Sequence, residues 1–114
     1  MELFVALDFS DEKQLLSCVE QFNPAWGGLK IGLEAFTHMG PSIVKRLVAE
    51  NFRVFLDLKY HDIPNTVSRA CLAAADLGVY MLNVHAAGGQ KMMESAANAL
   101  NTLGRSEEHT SELQ

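Results

Sequence analysis

The stretch Arg53-Val54-Phe55-Leu56-Asp57-Leu58-Lys59-Tyr60-His61-Asp62-Ile63-Pro64-Asn65-Thr66-Val67 reads as a strand running directly into a helix. Arg53–Leu58 is short, apolar and rich in Val, Leu and Phe, as a strand covered on both faces should be. Pro64 suits the first helical turn. Val67, Ala70, Cys71 and Ala74 then recur at helical spacing until Gly78, a C′ glycine. Working outward, three more apolar runs have the same character: Leu3–Leu7, Leu29–Ile31 and Tyr80–Val84. Each is followed by a helical pattern. The first helix is predicted from Ser10 as N-cap, with Asp11 and Glu12 in its first turn and Leu15, Leu16, Val19 and Phe22 on its apolar face. The second opens at Gly40-Pro41 and uses Ile43, Val44, Leu47 and Val48, and the fourth covers Gln90 to Leu100.

The predicted order is therefore βαβαβαβα, repeating roughly every 26 residues. Alternating strands and helices imply a parallel α/β sheet, either doubly wound and open or part of a barrel. A complete TIM (β/α)8 barrel needs about 250 residues, so four units make half of one. No GxGxxG follows the first strand, where Asp8-Phe9-Ser10-Asp11 stands instead, so a dinucleotide site has little support.

Composition narrows the function classes. Of 114 residues, 48% are hydrophobic and 20% charged, the balance of a globular chain rather than a disordered one. A net charge of −5, with Lys and Arg scattered, argues against a nucleic-acid surface. No signal-like segment or long apolar run points to export or a membrane, so a cytoplasmic location is expected. Cys18 and Cys71 lie far apart without a metal-ligand pattern and read as buried thiols. His38 and His61 have no partner at metal-ligand spacing, and no metal site is expected. Trp26 reads as filler between layers. Gly88-Gly89 precedes the fourth helix either as an anion-binding backbone or, with more reason, as a tight turn.

The polar residues inside these apolar runs carry the functional signal. Strand side chains alternate, which places Phe55, Asp57 and Lys59 on one face and Val54, Leu56 and Leu58 on the other. Asp8 ends the first strand, Lys30 interrupts the second, and His85 closes the fourth. Parallel α/β folds bind ligands at the carboxyl ends of their strands. Unpaired buried charges cost several kcal/mol, whereas Asp8, Lys30, Asp57 and Lys59 form a mutually neutralising quartet. A purely structural ion-pair network is the competing explanation. His85 reads equally as a buried, hydrogen-bonded histidine or as a substrate contact.

Leu56 to Val67 resembles the DxKxxDIPNTV segment of orotidine 5′-phosphate decarboxylases. The sister 3-keto-gulonate-phosphate decarboxylases and hexulose-phosphate synthases share DxKxxD without the Ile-Pro-Asn-Thr-Val that follows. Ala6-Leu7-Asp8, Leu29-Lys30-Ile31-Gly32 and Asn83-Val84-His85-Ala86-Ala87-Gly88-Gly89 extend the likeness over about residues 2–104. The resemblance implies a (β/α)8 barrel, of which this is the N-terminal half, and decarboxylation of orotidine 5′-monophosphate to UMP and CO2 without any cofactor. It implies Lys59, Asp57, Lys30 and Asp62 as catalytic residues, with Lys59 as proton donor to C6 and Asp57 against the substrate carboxylate. It implies Asp8, Lys30, Ile63 and Thr66 as substrate-binding residues. It also implies a homodimer in which Asp62 and Thr66 reach the partner's site. In the family, strands five to eight bring the base and phosphate contacts. A half barrel without them is expected to be inactive and to associate or partly unfold through its unpaired edge strands.

Arg105-Ser106-Glu107-Glu108-His109-Thr110-Ser111-Glu112-Leu113-Gln114 resembles the translation of a common sequencing adapter, matching throughout in one frame. Residues 1–104 are accordingly expected to form the partial barrel. Residues 105–114 are expected to be a foreign tail, disordered or extending the last helix.

Overall fold

The structure is a computed structural model; it describes the backbone of residues 1–113 and the side chains of residues 1–103. Four strands form one sheet: β1 (Phe4–Ala6), β2 (Gly28–Gly32), β3 (Val54–Tyr60) and β4 (Met81–Val84). Their spatial order, β1-β2-β3-β4, follows the sequence, and the β1–β2 and β2–β3 pairs are parallel. A doubly wound sheet reverses its strand order at a switch point, whereas a barrel does not. Of the two architectures left open by the sequence, this order selects the barrel.

Five helices connect and follow the strands: α1 (Glu12–Glu20), α2 (Leu33–Met39), α3 (Pro41–Ala49), α4 (Pro64–Asp76) and α5 (Gln90–Leu113). The N-cap of α1 is Asp11, not Ser10, because the Asp11 carboxylate accepts the Lys13 N–H at 3.0 Å. Helix α2 was not anticipated. Its seven residues bury only Ala35, so there is no apolar stripe to reveal it, and Gly40 at φ 73° separates it from α3. Gly78, at φ 90°, follows α4 as anticipated, and a Cβ there would come within 2.9 Å of Val48.

The chain divides into two compact units, Met1–Leu58 with Leu77–Asn83, and Lys59–Asp76 with Val84–Gln114. In the first, pairing of Leu29 with Val54 and of Lys30 with Phe55 sets which side chains share a face. Leu29, Ile31, Val54 and Leu56 are wholly or almost wholly buried, as are Leu15, Ile43, Val44 and Leu47 on the helices. The second unit packs α4 with α5 and buries Val67, Cys71, Ala74, Met92 and Ala96. Two minor expectations fail. Cys71 is buried, but Cys18 is only partly so. Trp26 is 61% exposed, resting edge-on against Phe22 rather than filling space between layers.

Candidate active site

In the first unit, the strand register puts Lys30, Phe55 and Asp57 on one face, opposite the aliphatic set. The lower part of that face is aromatic, with Phe4 edge-on to Phe55 and tilted against Tyr80. Glu2 closes this end by pairing with Arg53 and accepting from the Tyr80 hydroxyl. The polar groups come at the carboxyl end. Asp57 is 9% exposed, and one of its oxygens lies 3.3 Å from Lys30 Nζ. Its other oxygen accepts from the Asn83 amide at 2.7 Å. The carboxylate is thus gripped from both neighbouring strands. Asp8 follows β1 at the same end, with Oδ1 3.9 Å from the position a Cβ on Gly32 would take.

Asn83 was missed. The available signal was the one that exposed Lys30, a polar residue interrupting an apolar strand, here Met81-Leu82-Asn83-Val84.

Lys59 belongs to the second unit, together with Asp62, Ile63 and Thr66. Lys59 lies within β3 on an irregular backbone. Its φ is 51°, in the left-handed region that a residue with a Cβ rarely occupies. Such a backbone costs about 1–3 kcal/mol and persists only where the surroundings impose it. Beyond it, Asp62 accepts its neighbour's N–H, from Ile63, at 2.7 Å, and Val67 N–H reaches the Ile63 carbonyl at the head of α4. Asp62, Thr66 and Ile63 are exposed, Ile63 by 66%.

His85 is exposed rather than buried. It stacks on His61 with ring centroids 5.4 Å apart, and its Nδ1 accepts the Ala87 N–H at 3.0 Å. Gly88 has a packing reason, since a Cβ there would overlap the Met92 sulfur. Burial raises the Cys71 thiol pKa. Burial also raises that of the Tyr60 phenol, with a smaller contribution from Cys71. Among the described residues, no group of three or more His, Cys, Asp or Glu side chains gathers as a metal site, and no helix is long and apolar enough to cross a membrane.

A sequentially ordered parallel sheet, with a buried carboxylate between an amine and an amide at its carboxyl end, defines a half barrel of the TIM class. The sequence profile of the orotidine 5′-phosphate decarboxylase / HUMPS family matches residues 1–111, and the chain belongs to that family. It is 61% identical over 98 residues to orotidine 5′-phosphate decarboxylase of Nitrosococcus oceani, covering 86% of this chain and 42% of that protein. The corresponding protein of Legionella pneumophila strain Lens is 54% identical over 104 residues, 91% of this chain and 45% of its own length. The crystal structure of orotidine 5′-phosphate decarboxylase from Lactobacillus acidophilus superposes with a TM-score of 0.81 at 40% identity, over 87% of this chain and 45% of that one. The chain therefore spans less than half the length of these relatives.

Proposed function

We propose that this chain supplies the acid–amine half of an orotidine 5′-phosphate decarboxylase site, in a protein that makes UMP in pyrimidine biosynthesis. The observation that carries the reading is the buried Asp57 carboxylate held by Lys30 and Asn83, two residues before an amine on a constrained backbone. In the proposed reaction the bond from C6 to the carboxylate carbon breaks, CO2 leaves, and the electron pair remains on C6. Lys59 stabilises that charge as an ammonium and then transfers a proton from Nζ to C6. Lys30 and Asn83 keep Asp57 fixed beside the substrate carboxylate, and Asp8 and Lys30 hold the ribose. Side chains alone carry these steps.

Asp62 and Thr66 complete the site of a second subunit in this reading, with Ile63 also at the substrate; the exposure of all three favours such a role. In this reading the protein works in the cytoplasm. Residues 105–114 are read as a foreign tail, which genomic DNA downstream of codon 104 tests directly.

The decisive experiment uses the protein extended to its relatives' full length. Lys59→Ala should lower the rate of CO2 release from orotidine 5′-monophosphate by several orders of magnitude, on the order of 10³-fold or more. Turnover close to that of the unmodified protein would end the assignment. Loss of activity on adding EDTA would instead favour a sister sugar-phosphate decarboxylase or hexulose-phosphate synthase.

A further inference from the structure

Two 3-10 turns in this chain have the same capped form. Asn23 caps Pro24–Trp26 at φ −92° and ψ 126°, its Oδ1 accepting the Ala25 N–H at 2.8 Å. His85 caps Ala86–Gly88 at the same φ −92° and ψ 126°, its Nδ1 accepting the Ala87 N–H at 3.0 Å. In both turns the capping residue's carbonyl also accepts an N–H three residues on, Trp26 at 2.9 Å and Gly88 at 3.0 Å. The chain thus builds this turn with asparagine in one place and histidine in another. Capping alone does not explain the imidazole.

What histidine adds is a ring, and the ring has a destination. It lies nearly parallel to His61, at 17° between planes. The main chain of the same residue is tied alongside, since the His85 N–H donates to the Tyr60 carbonyl at 2.9 Å. His85 therefore holds two consecutive residues, Tyr60 by backbone and His61 by ring, immediately after the left-handed Lys59. Because Nδ1 is occupied as an acceptor, the ring proton sits on Nε2 and the plane cannot rotate without breaking the cap. Gly88 keeps the neighbourhood open: a Cβ on it would lie 3.4 Å from His61 Cδ2, besides overlapping Met92.

We infer that His85 is a positioning residue for Lys59, acting through its stack on His61 to hold the turn that aims the amine. The inference rests on the decarboxylase reading for its catalytic consequence, but the backbone consequence is independent of it. Misplacing a reacting group by about 1 Å can cost about a hundredfold in rate.

The test again uses the full-length protein, and its key comparison separates cap from ring. His85→Asn keeps a capping acceptor, as at Asn23, and deletes the ring; His85→Phe keeps a ring and deletes the acceptor. His85→Asn should lower kcat by about ten- to a hundredfold with KM changed by less than about threefold, and His85→Phe should restore most of that loss. His61→Ala should reproduce the His85→Asn defect, and the double variant should be no worse than either single one, as for residues acting as a unit. The Cα and Cβ chemical shifts of Lys59 should leave the left-handed range in His85→Asn and His61→Ala but not in His85→Phe. If His85→Asn keeps both kcat and these shifts, or if the two losses multiply, the inference is overturned. Failure of the unmodified protein to release CO2 would defeat the decarboxylase reading alone, since the Lys59 shifts still decide the stack.

Discussion

Asp57 and Lys59 stand two residues apart on β3, yet their backbones follow different rules. Asp57 keeps ladder register with Gly32 and is nearly buried, its carboxylate held by Lys30 and Asn83. Lys59 is exposed and left-handed at φ 51°. The first position is set by the periodicity of a strand, which any extended sequence would obey. The second is set against local preference, and such outliers gather where a group must be aimed. The contrast separates a position that the strand ladder fixes from one that its surroundings must impose.

The contrast can be probed by substitution in the full-length protein. The largest stability effect should come from its regular side: Leu56→Ala, at a residue 1% exposed, should cost about 2–5 kcal/mol and lower Tm accordingly. A loss below about 1 kcal/mol would mean that β3 is not a core strand. Next in size, Lys30→Met leaves Asp57 with its amide partner but without the amine. It should destabilise by about 1–3 kcal/mol near neutral pH. The loss should shrink when Asp57→Asn is added, because no buried charge then needs compensation; a deficit unchanged in the double variant would argue against the ion pair.

A smaller effect should change sign between the two positions. At residue 59 the glycine variant should be more stable than the alanine variant by roughly 1 kcal/mol, because glycine occupies positive φ without penalty. At residue 57, glycine should instead be worse than alanine by about 0.5–1 kcal/mol, as in any strand interior. Chemical denaturation of the four variants would show it, and the same sign at both sites would remove the claimed difference in backbone.

The smallest effect concerns alkaline pH. Burial raises the folded-state pKa of Cys71 above its ordinary value of 9.0, and Tyr60 is raised above 10.0. The folded state then retains protons that the unfolded state loses, so stability is intact below about pH 9 and declines as pH rises through the folded values. Cys71→Val should flatten the earlier part of that decline. A Tm profile above pH 9 identical to that of the unmodified protein would exclude the thiol as a contributor.

Much of this was legible in the residues. Leu3–Leu7, Leu29–Ile31, Arg53–Leu58 and Tyr80–Val84 each matched a strand to within two residues at either end, because a parallel strand covered on both faces has to be a short apolar run. Lys30 and Asp57 stood out because charge inside such a run needs a partner. Helix α2 was hidden because it buries a single alanine, and Trp26 was misjudged because size alone does not determine burial. Asn83 was overlooked beside more conspicuous charges, although it makes the shorter contact to Asp57.

The sequence by itself determined the alternation of strands and helices, the family likeness and the candidate acid and amine, because periodicity and residue chemistry are local properties. Only the tertiary structure decided that the strands lie in sequential order, that Asn83 reaches Asp57 and that His85 lies over His61. Those facts depend on which segments become neighbours, and on a backbone at Lys59 that its own residue type disfavours and its surroundings must impose.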